Sequence, residues 1–176
     1  LANRSLFRER LHTTCELARH SDAQMALLHI DLDRFKLLND SLGHEVADQL
    51  LRQMARRLNQ SVPEAHTVAR LAGDEFAILL DDYGSLSALA RTASRLLAKL
   101  RTPMDVAGHE LVVSASIGIS LLPDNARELA ALLSQADMAK QHAKHLGGNT
   151  FQFYTDNLQA CTLERLQLET QLRKGI

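Results

Sequence analysis

The alternation of apolar and polar residues divides the chain into short apolar runs and longer amphipathic segments. The apolar runs predict strands at residues 24–32, 66–71, 75–80, 110–121 and 150–154, the last of them an edge strand. Apolar residues that recur every three or four positions predict helices at residues 3–20, 34–40, 45–59, 85–100 and 129–146. Because hairpins are mixed with helical connections, we predict an α+β sandwich in which helices cover an antiparallel or mixed sheet.

Two turns and one unusual helix add detail to this outline. Residues 72–74, Ala-Gly-Asp, separate two predicted strands and favour a hairpin, since Gly and Asp tolerate positive φ. Ala107 and Gly108 predict the turn before the strand at 110–121. Residues 157–174 also have helical character, but their leucines are distributed around the helix, a pattern typical of helices that bridge domains.

The composition limits the classes of protein to which the chain can belong. Its 176 residues suit one compact domain, and its net charge of −1 offers no basic face for a nucleic-acid backbone. The two cysteines are far apart, and neither a signal-peptide pattern nor a run of ~18 apolar residues is visible. We therefore expect a cytoplasmic domain that contacts neither nucleic acid nor membrane. Since the chain opens on Leu1, we expect a piece of a longer protein, which could be membrane-anchored.

Two acidic pairs are the first candidates for chemistry. Asp31 and Asp33 come at the end of the first predicted strand, and Asp74 and Glu75 lie in the predicted hairpin turn. A strand end and a neighbouring turn can bring carboxylates together around Mg²⁺, which prefers oxygen ligands. The alternative is that the first pair merely begins a helix and Asp74 merely occupies a turn.

Four further polar residues are candidates for binding a nucleotide. Lys36 and Lys144 could contact phosphates, while Asn39 and Asp48 together could contact the edge of a guanine base. The alternative for each is an ordinary solvated side chain. The patterns G-x-x-x-x-G-K-[ST], G-x-G-x-x-G and G-x-S-x-G are all absent, which removes the common routes to nucleotide hydrolysis, dinucleotide binding and serine esterase chemistry.

Taken together, these residues resemble the motifs of the GGDEF domain family. Residues 31–40, DLDRFKLLND, resemble its D-x-D-x-F-K-x-x-N-D motif, and residues 43–51, GHEVADQLL, resemble G-H-x-x-G-D-x-L-L. Residues 70–76, RLAGDEF, match R-x-G-G-D-E-F in all but one defining position. Residues 136–149 follow the A-D-x-A…A-K-x-x-G-x-N segment. The resemblance covers residues 1–155 in the family's order.

The resemblance implies a nucleotidyl-cyclase-like fold with a mostly antiparallel central sheet, and diguanylate cyclase chemistry. Two GTP molecules would become cyclic di-GMP with release of pyrophosphate, in a site shared by two GGDEF protomers. Residues 1–155 would be the GGDEF domain. Residues 156–176 resemble the linker that leads into an EAL phosphodiesterase domain, so fused EAL and sensory domains are expected.

The resemblance also implies a role for each matching residue. Asp31, Asp74 and the carbonyl of Leu32 would hold Mg²⁺ or Mn²⁺, and Glu75 would lie by the attacking hydroxyl or assist the metals. The residues implied in substrate binding are Asn39 and Asp48 at the guanine, Lys36, Lys144 and the backbone at Arg34 and Phe35 at the phosphates, and Ala72 and Gly73 in the signature turn.

Three departures from the family pattern bear on activity. Ala72 replaces the first signature glycine, at a cost of about 1 kcal/mol if the position needs positive φ. Gly148 stands where the family usually has an arginine, which could weaken phosphate binding about ten- to a hundredfold. The family's feedback motif R-x-x-D is absent at residues 63–66. The hypothesis is therefore a diguanylate cyclase that these changes could weaken. The alternatives are a degenerate GTP-binding domain that regulates a fused EAL phosphodiesterase, or a dimerisation domain with a silent site.

Overall fold

The computed structural model describes residues 1–63, 65, 67–156, 171, 172 and 175. Within these residues the chain forms five helices and seven strands. The helices are α1 (Arg4–Arg19), α2 (Phe35–Leu42), α3 (His44–Ser61), α4 (Leu86–Leu100) and α5 (Leu129–His145). The strands are β1 (Met25–Leu32), β2 (Thr67–Ala72), β3 (Glu75–Asp81), β4 (Met104–Val106), β5 (His109–Leu111), β6 (Ala115–Leu122) and β7 (Thr150–Phe153). None of the helices in the described ranges is both long and apolar enough to cross a membrane.

Five of the strands form one mixed sheet in the order β2-β3-β1-β6-β7. β1 lies at its centre and pairs antiparallel with β3 and with β6. β2 pairs antiparallel with β3, while β7 is parallel to β6 and forms an edge. The predicted α+β sandwich with a mostly antiparallel sheet and an edge strand at 150–154 is therefore confirmed.

Helices cover both faces of this sheet. Leu28 and Ile30 of β1 belong to the core on one face, together with buried residues of α3 and α4. Met25 and Leu27 belong to the core on the other face, together with buried residues of α1 and α5. Since successive side chains of a strand point to opposite faces, a central strand covered on both sides is apolar almost throughout. This explains why β1 and β6 read as continuous apolar runs.

Gly118, in the middle of β6, allows α5 to pack unusually close to the sheet. A Cβ at this position would lie 2.0 Å from the carbonyl oxygen of Ala136 and 2.2 Å from the amide nitrogen of Lys140. The backbone of the helix therefore rests directly on the strand. His29 is opposite Gly118 in the β1–β6 ladder, so α5 passes over both residues. This contact sets the height of α5 above the end of β1.

The predicted strand at 110–121 is wrong in its extent. The structure divides it into β5, which forms a separate hairpin with β4, and β6, which joins the main sheet. Ala107 and Gly108 both have positive φ, as a tight turn that joins β4 to β5 requires. Residues 112–114 then separate two strands whose apolar character is continuous in the sequence. The predicted helix at 157–174 lies outside the described residues, apart from residues 171 and 172.

Candidate active site

The end of β1 and the turn between β2 and β3 bring the predicted carboxylates together. Asp31 is opposite Glu75 in the β1–β3 ladder, which puts both side chains on the face covered by α5. The amide of Leu32 donates a hydrogen bond of 3.3 Å to the carbonyl of Asp74 and so ties the turn to the strand end. Asp31 is buried, with 6% of its surface exposed, whereas Asp74 and Glu75 are half-buried. The predicted convergence of the two acidic pairs is therefore present for these three residues.

Helix α5 adds two ammonium groups to the carboxylates. Nζ of Lys144 lies 2.6 Å from Oδ1 of Asp31. This buried oxygen therefore has the Lys144 ammonium as its ion-pair partner, and no other partner for it is found in the described part of the chain. Nζ of Lys140, which is completely buried, lies 2.6 Å from Oε1 of Glu75 and 2.8 Å from Oδ1 of Asp137. The helix thus supplies part of the positive charge that the acidic groups need.

The charges shift the pKa values of neighbouring groups in opposite directions. Burial, followed by the nearby Asp31 carboxylate, raises the pKa of Asp74 above its ordinary value. The pKa of Glu75 is lowered to about 2, chiefly by the hydrogen bond from His29 and in addition by Lys140, while burial acts in the opposite direction. Lys140 makes the shorter of these two contacts, since Nε2 of His29 is 3.7 Å from Oε1. Burial lowers the pKa of Lys140, but its bonds to Asp137 and Glu75 raise it overall, so this side chain is an ammonium at neutral pH.

Asp33, the fourth residue of the two acidic pairs, has a different environment. Its carboxylate accepts hydrogen bonds of 2.6 Å from the hydroxyls of Ser114 and Ser116 and one of 2.9 Å from the amide of Asn149. Asp33 therefore ties the end of β1 to β6 and to the loop before β7. Because both of its oxygens accept these hydrogen bonds, Asp33 stabilises the backbone around the site.

The start of α2 carries most of the predicted phosphate contacts. Arg34 precedes the helix in the left-handed conformation, with φ of 56°, and no side chain caps the first turn. The helix therefore begins directly after β1, with its first amides near the carboxylates and without a side-chain partner. Lys36 is exposed on this turn. Oδ1 of Asn39 is buried with no hydrogen-bond partner among the described residues, whereas Asp48 is exposed on α3.

A cleft of about 690 Å³ opens beside the turn between β2 and β3. Ala72 and Gly73 form part of its wall, and Leu51 and Arg52 of α3 form another part. Asp48 precedes these two α3 residues by about one helical turn, so it lies on the same side of the helix. The cleft therefore adjoins both the acidic turn and the helix that carries a predicted base contact.

Comparison with known proteins identifies the family. Residues 1–150 match the family model described as "Diguanylate cyclase, GGDEF domain". The chain belongs to the GGDEF domain family. It shares its fold with a solved structure of TpbB from Pseudomonas aeruginosa, a delta-N mutant comprising only the GGDEF domain. The TM-score is 0.88 at 37% identity, over 93% of this chain and 95% of that one, which confirms the nucleotidyl-cyclase-like fold.

Two longer proteins of Pseudomonas aeruginosa are similar to this GGDEF domain over its whole length. One is the bifunctional diguanylate cyclase/cyclic di-GMP phosphodiesterase MucR, at 38% identity over 176 residues. The other is the cyclic di-GMP phosphodiesterase NbdA, at 36% identity over 176 residues. The chain spans 26% of the first protein and 22% of the second.

Two of the three departures, at Ala72 and Gly148, have different structural settings. The third, at residues 63–66, lies partly outside the described residues. Ala72 is the last residue of β2 and does not have positive φ, so the expected strain of about 1 kcal/mol does not apply there. The positive φ belongs to Gly73, at 47°. Gly148 has φ of 75°, and a Cβ there would lie 2.7 Å from Oδ2 of Asp33. An arginine at 148 would therefore meet both backbone strain and the Asp33 carboxylate.

Sequence reasoning missed two residues of this GGDEF domain's site. His29 lies among the apolar residues of β1, and Lys140 was passed over within the A-D-x-A…A-K segment. A signal for Lys140 exists in the sequence, because Ala136 and Ala143 fall four residues before it and three after it. A lysine on this inward face of α5 requires a buried partner of opposite charge.

Proposed function

We propose that this GGDEF domain is a diguanylate cyclase, which condenses two GTP molecules into cyclic di-GMP and releases two pyrophosphates. The observation that carries the proposal is the pairing of buried Asp31 with the signature turn at Asp74 and Glu75, directly before the uncapped start of α2. Phosphoryl transfer needs alignment of the reacting groups and positive charge where negative charge develops. Cyclases of this family supply both needs with carboxylates, a divalent cation and backbone amides.

The residues suited to hold Mg²⁺ (or Mn²⁺) are Asp31, Asp74 and the carbonyl of Leu32. Oxygen donors are the ligands that Mg²⁺ prefers. Oδ1 of Asp31 is a buried carboxylate oxygen whose partner among the described residues is the Lys144 ammonium. Because Lys144 is about one third exposed, with 32% of its side-chain surface accessible, its ammonium can move to the phosphates when the ion binds, unlike the fully buried Lys140. When bound, the ion would stabilise negative charge on the GTP phosphates. The raised pKa of Asp74 fits this assignment, because a nearby cation would favour the charged carboxylate.

The residues that we assign to the phosphates of GTP surround the start of α2. The amides near Arg34 and Phe35 are free of a side-chain cap, and helix N-termini attract phosphate groups. Lys36 is exposed on the same turn, and Lys144 reaches Asp31 from the opposite side. Both ammonium groups are within the region where the phosphates of a metal-bound nucleotide would lie.

For the guanine base we assign Asn39 and Asp48. The buried Oδ1 of Asn39 has no hydrogen-bond partner among the residues that the structure describes, and it would accept a hydrogen bond from the base. The Asp48 carboxylate would accept hydrogen bonds from the adjacent donors of the base. A wall of the neighbouring cleft contains Ala72 and Gly73, so the signature turn would border the nucleotide. Together these contacts would select GTP over ATP.

Catalysis requires a second protomer in this proposal. Each protomer binds one GTP, and the 3′-hydroxyl of each GTP attacks the α-phosphorus of the other, so that two phosphodiester bonds form and two pyrophosphates leave. Glu75 stays charged at neutral pH and would lie by the attacking hydroxyl or assist the metals. The site on a single copy of the chain is thus half of the reacting assembly.

The second candidate is a degenerate GTP-binding domain that controls a fused EAL phosphodiesterase. Two observations favour it: the similarity to NbdA, named as a phosphodiesterase, and the glycine at 148. In either case we propose residues 1–155 as the GGDEF domain and residues 156–176 as the linker toward the EAL domain. A cytoplasmic position is proposed for the domain, within a full-length protein that also carries sensory domains.

Incubation of the protein with GTP and Mg²⁺, followed by chromatography for cyclic di-GMP, tests the proposal. We expect product from the wild type and none from Asp74→Ala. Asp22→Ala is the matched control, because it removes an exposed aspartate that lies outside the site, before β1. GTP binding without product would overturn the cyclase and favour the regulatory domain, whereas no GTP binding would overturn both and leave the dimerisation scaffold.

A further inference from the structure

Lys140 is a lysine with no exposed surface at the centre of a polar cluster. Its Nζ lies 2.6 Å from Oε1 of Glu75, 2.8 Å from Oδ1 of Asp137 and 3.5 Å from Nε2 of His29. A fourth group, Oδ2 of Asp31, is 3.9 Å away. A buried ammonium is retained only with such compensation, since the loss of hydration is costly. Lys140 is therefore an integral charge of the site.

The fold brings this ammonium to the sheet by the close contact at Gly118. The backbone nitrogen of Lys140 would lie only 2.2 Å from a Cβ at that position, so the helix rests on β6 at this residue. His29 is the cross-strand neighbour of Gly118 and lies below the same turn of α5. Asp137 is one turn earlier on the helix and completes the cluster from above. The fully buried side chain of Lys140 is therefore held in this cluster.

The three partners of Lys140 form a set that could hold a metal ion. One ligand atom from each of His29, Glu75 and Asp137 lies within 4.8 Å of the others, and imidazole with two carboxylates suits Mn²⁺. The ammonium contacts all three of these residues. A divalent ion placed there would be within about 3 Å of a positive charge, where repulsion is strong. The ammonium and a metal ion therefore exclude each other from this cluster.

We propose that Lys140 is a built-in cation: its ammonium takes the position of a divalent ion among His29, Glu75 and Asp137, and holds the Glu75 carboxylate. Divalent-cation binding is then confined to the side of Asp31 and Asp74. Lys140 is a positioning residue, because it acts on the site through Glu75. The assignment of the remaining cation to Asp31 and Asp74 rests on the proposed function, whereas the exclusion of a metal from the cluster does not.

Titration with Mn²⁺, followed by electron paramagnetic resonance of the free ion, tests this proposal without turnover. The protein is compared with Lys140→Met, which keeps the length of the side chain and removes its charge. In the absence of nucleotide, we expect Lys140→Met to bind one more Mn²⁺ per protomer than the wild type does. The affinity of this additional site should be at least about tenfold higher than that of any Mn²⁺ site in the wild type. Adding Glu75→Gln to Lys140→Met should remove the gained site.

Lys99→Met is the matched control, because Lys99 is exposed on α4 and its loss changes the net charge equally. The control should bind Mn²⁺ as the wild type does. Equal numbers and affinities of Mn²⁺ in wild type and Lys140→Met would overturn the proposal.

A second titration, on the wild type alone, covers the case in which Lys140→Met does not fold. It uses a GTP analogue with carbon in place of the α–β bridging oxygen, which cannot release pyrophosphate. The protein carries ¹⁵N-labelled histidine, and pulsed electron paramagnetic resonance identifies the ligands of the bound Mn²⁺. We expect no coupling to a histidine nitrogen, however many ions accompany the nucleotide, and such a coupling would overturn the proposal. Failure to bind the analogue would contradict the proposed function. The nucleotide-free comparison of the wild type with Lys140→Met would still test the role of Lys140.

Discussion

Replacing Gly118 by alanine should destabilise the domain more than its single methyl group suggests. The added Cβ would lie 2.0 Å from the carbonyl oxygen of Ala136, where ordinary contact begins at 3.4 Å. Helix α5 would therefore have to retreat by about 1.4 Å, the difference between these two distances. Three atoms of the helix would clash with the added Cβ, namely this oxygen and the nitrogen and Cα of Lys140. All three belong to the backbone, so no rotamer change can relieve the clash.

The expected cost lies at the upper end of the range for overpacked cores, about 3 kcal/mol. The alanine would recover up to about 1 kcal/mol through the smaller entropy of its unfolded chain, leaving a net loss of about 2 kcal/mol. For a domain of this size such a loss lowers the Tm by about 4 to 8 °C. Urea unfolding followed by circular dichroism measures the free energy, and calorimetry measures the Tm.

Gly108→Ala is a matched control for this experiment. Gly108 has positive φ of 81° and nothing within 4 Å of an added Cβ, so it carries backbone strain without a clash. Its expected cost is about 1 kcal/mol. A Gly118→Ala domain as stable as the wild type, or no less stable than Gly108→Ala, would refute the close contact of α5 with β6.

Three further substitutions test separate parts of the site. Glu75→Gln should lose the stability that comes from the low pKa of the Glu75 carboxyl, about 2 in the folded domain. In urea unfolding, the free-energy difference between the wild type and Glu75→Gln should be largest above about pH 4.5 and should vanish as the pH falls towards 2. A difference that does not depend on pH would contradict the ion pairing of Glu75. Asp33→Ala should lower the free energy of unfolding by about 1–3 kcal/mol, because the hydroxyls of Ser114 and Ser116 lose their acceptor. An unchanged urea midpoint would contradict this role of Asp33. Ala72→Gly should lower the free energy of unfolding by about 0.5–1 kcal/mol, and with it the Tm, since Ala72 is a strand residue without positive φ. A raised Tm would show that the alanine is strained.

Much of the fold follows from local patterns in the sequence. The apolar runs around β1 and β3 predict the central strands, and the residue types of Gly73 and Asp74 predict the turn between β2 and β3. Such features depend on a few neighbouring residues, so the sequence carries them directly. The pairing of Asp31 with Glu75 is different, because it joins two strands that are distant in the sequence.

The remaining features depend on which segments pair, and an apolar run does not show its partner. The division of 110–121 into β5 and β6 arises because residues 109–111 form a local hairpin with β4. The position of Lys140 depends on the approach of α5 to Gly118, and its charge is balanced by Glu75, 65 residues away in sequence. Asp33 belongs to the same acidic pair as Asp31, but its carboxylate accepts hydrogen bonds from Ser114 and Ser116, more than 80 residues away. Long-range partners decide the positions of Lys140 and Asp33.

Helix α5 carries two of the positive charges that contact the carboxylates of this GGDEF domain. Lys144 faces Asp31 and Lys140 faces Glu75, so two carboxylates of the site have an ammonium within 2.6 Å. An arginine at 148 would be strained there and would contact Asp33. The helix thus provides positive charge on the side of the site opposite to the start of α2.

The most direct test of the central claim is the stoichiometry of products formed from GTP. Purified protein is incubated with GTP and Mg²⁺, and cyclic di-GMP and pyrophosphate are quantified over time at several protein concentrations. The account predicts two pyrophosphates for each cyclic di-GMP, with a rate per protomer that rises with protein concentration because two protomers share the reaction. Unconsumed GTP, or its conversion to GDP and phosphate without cyclic di-GMP, would contradict it.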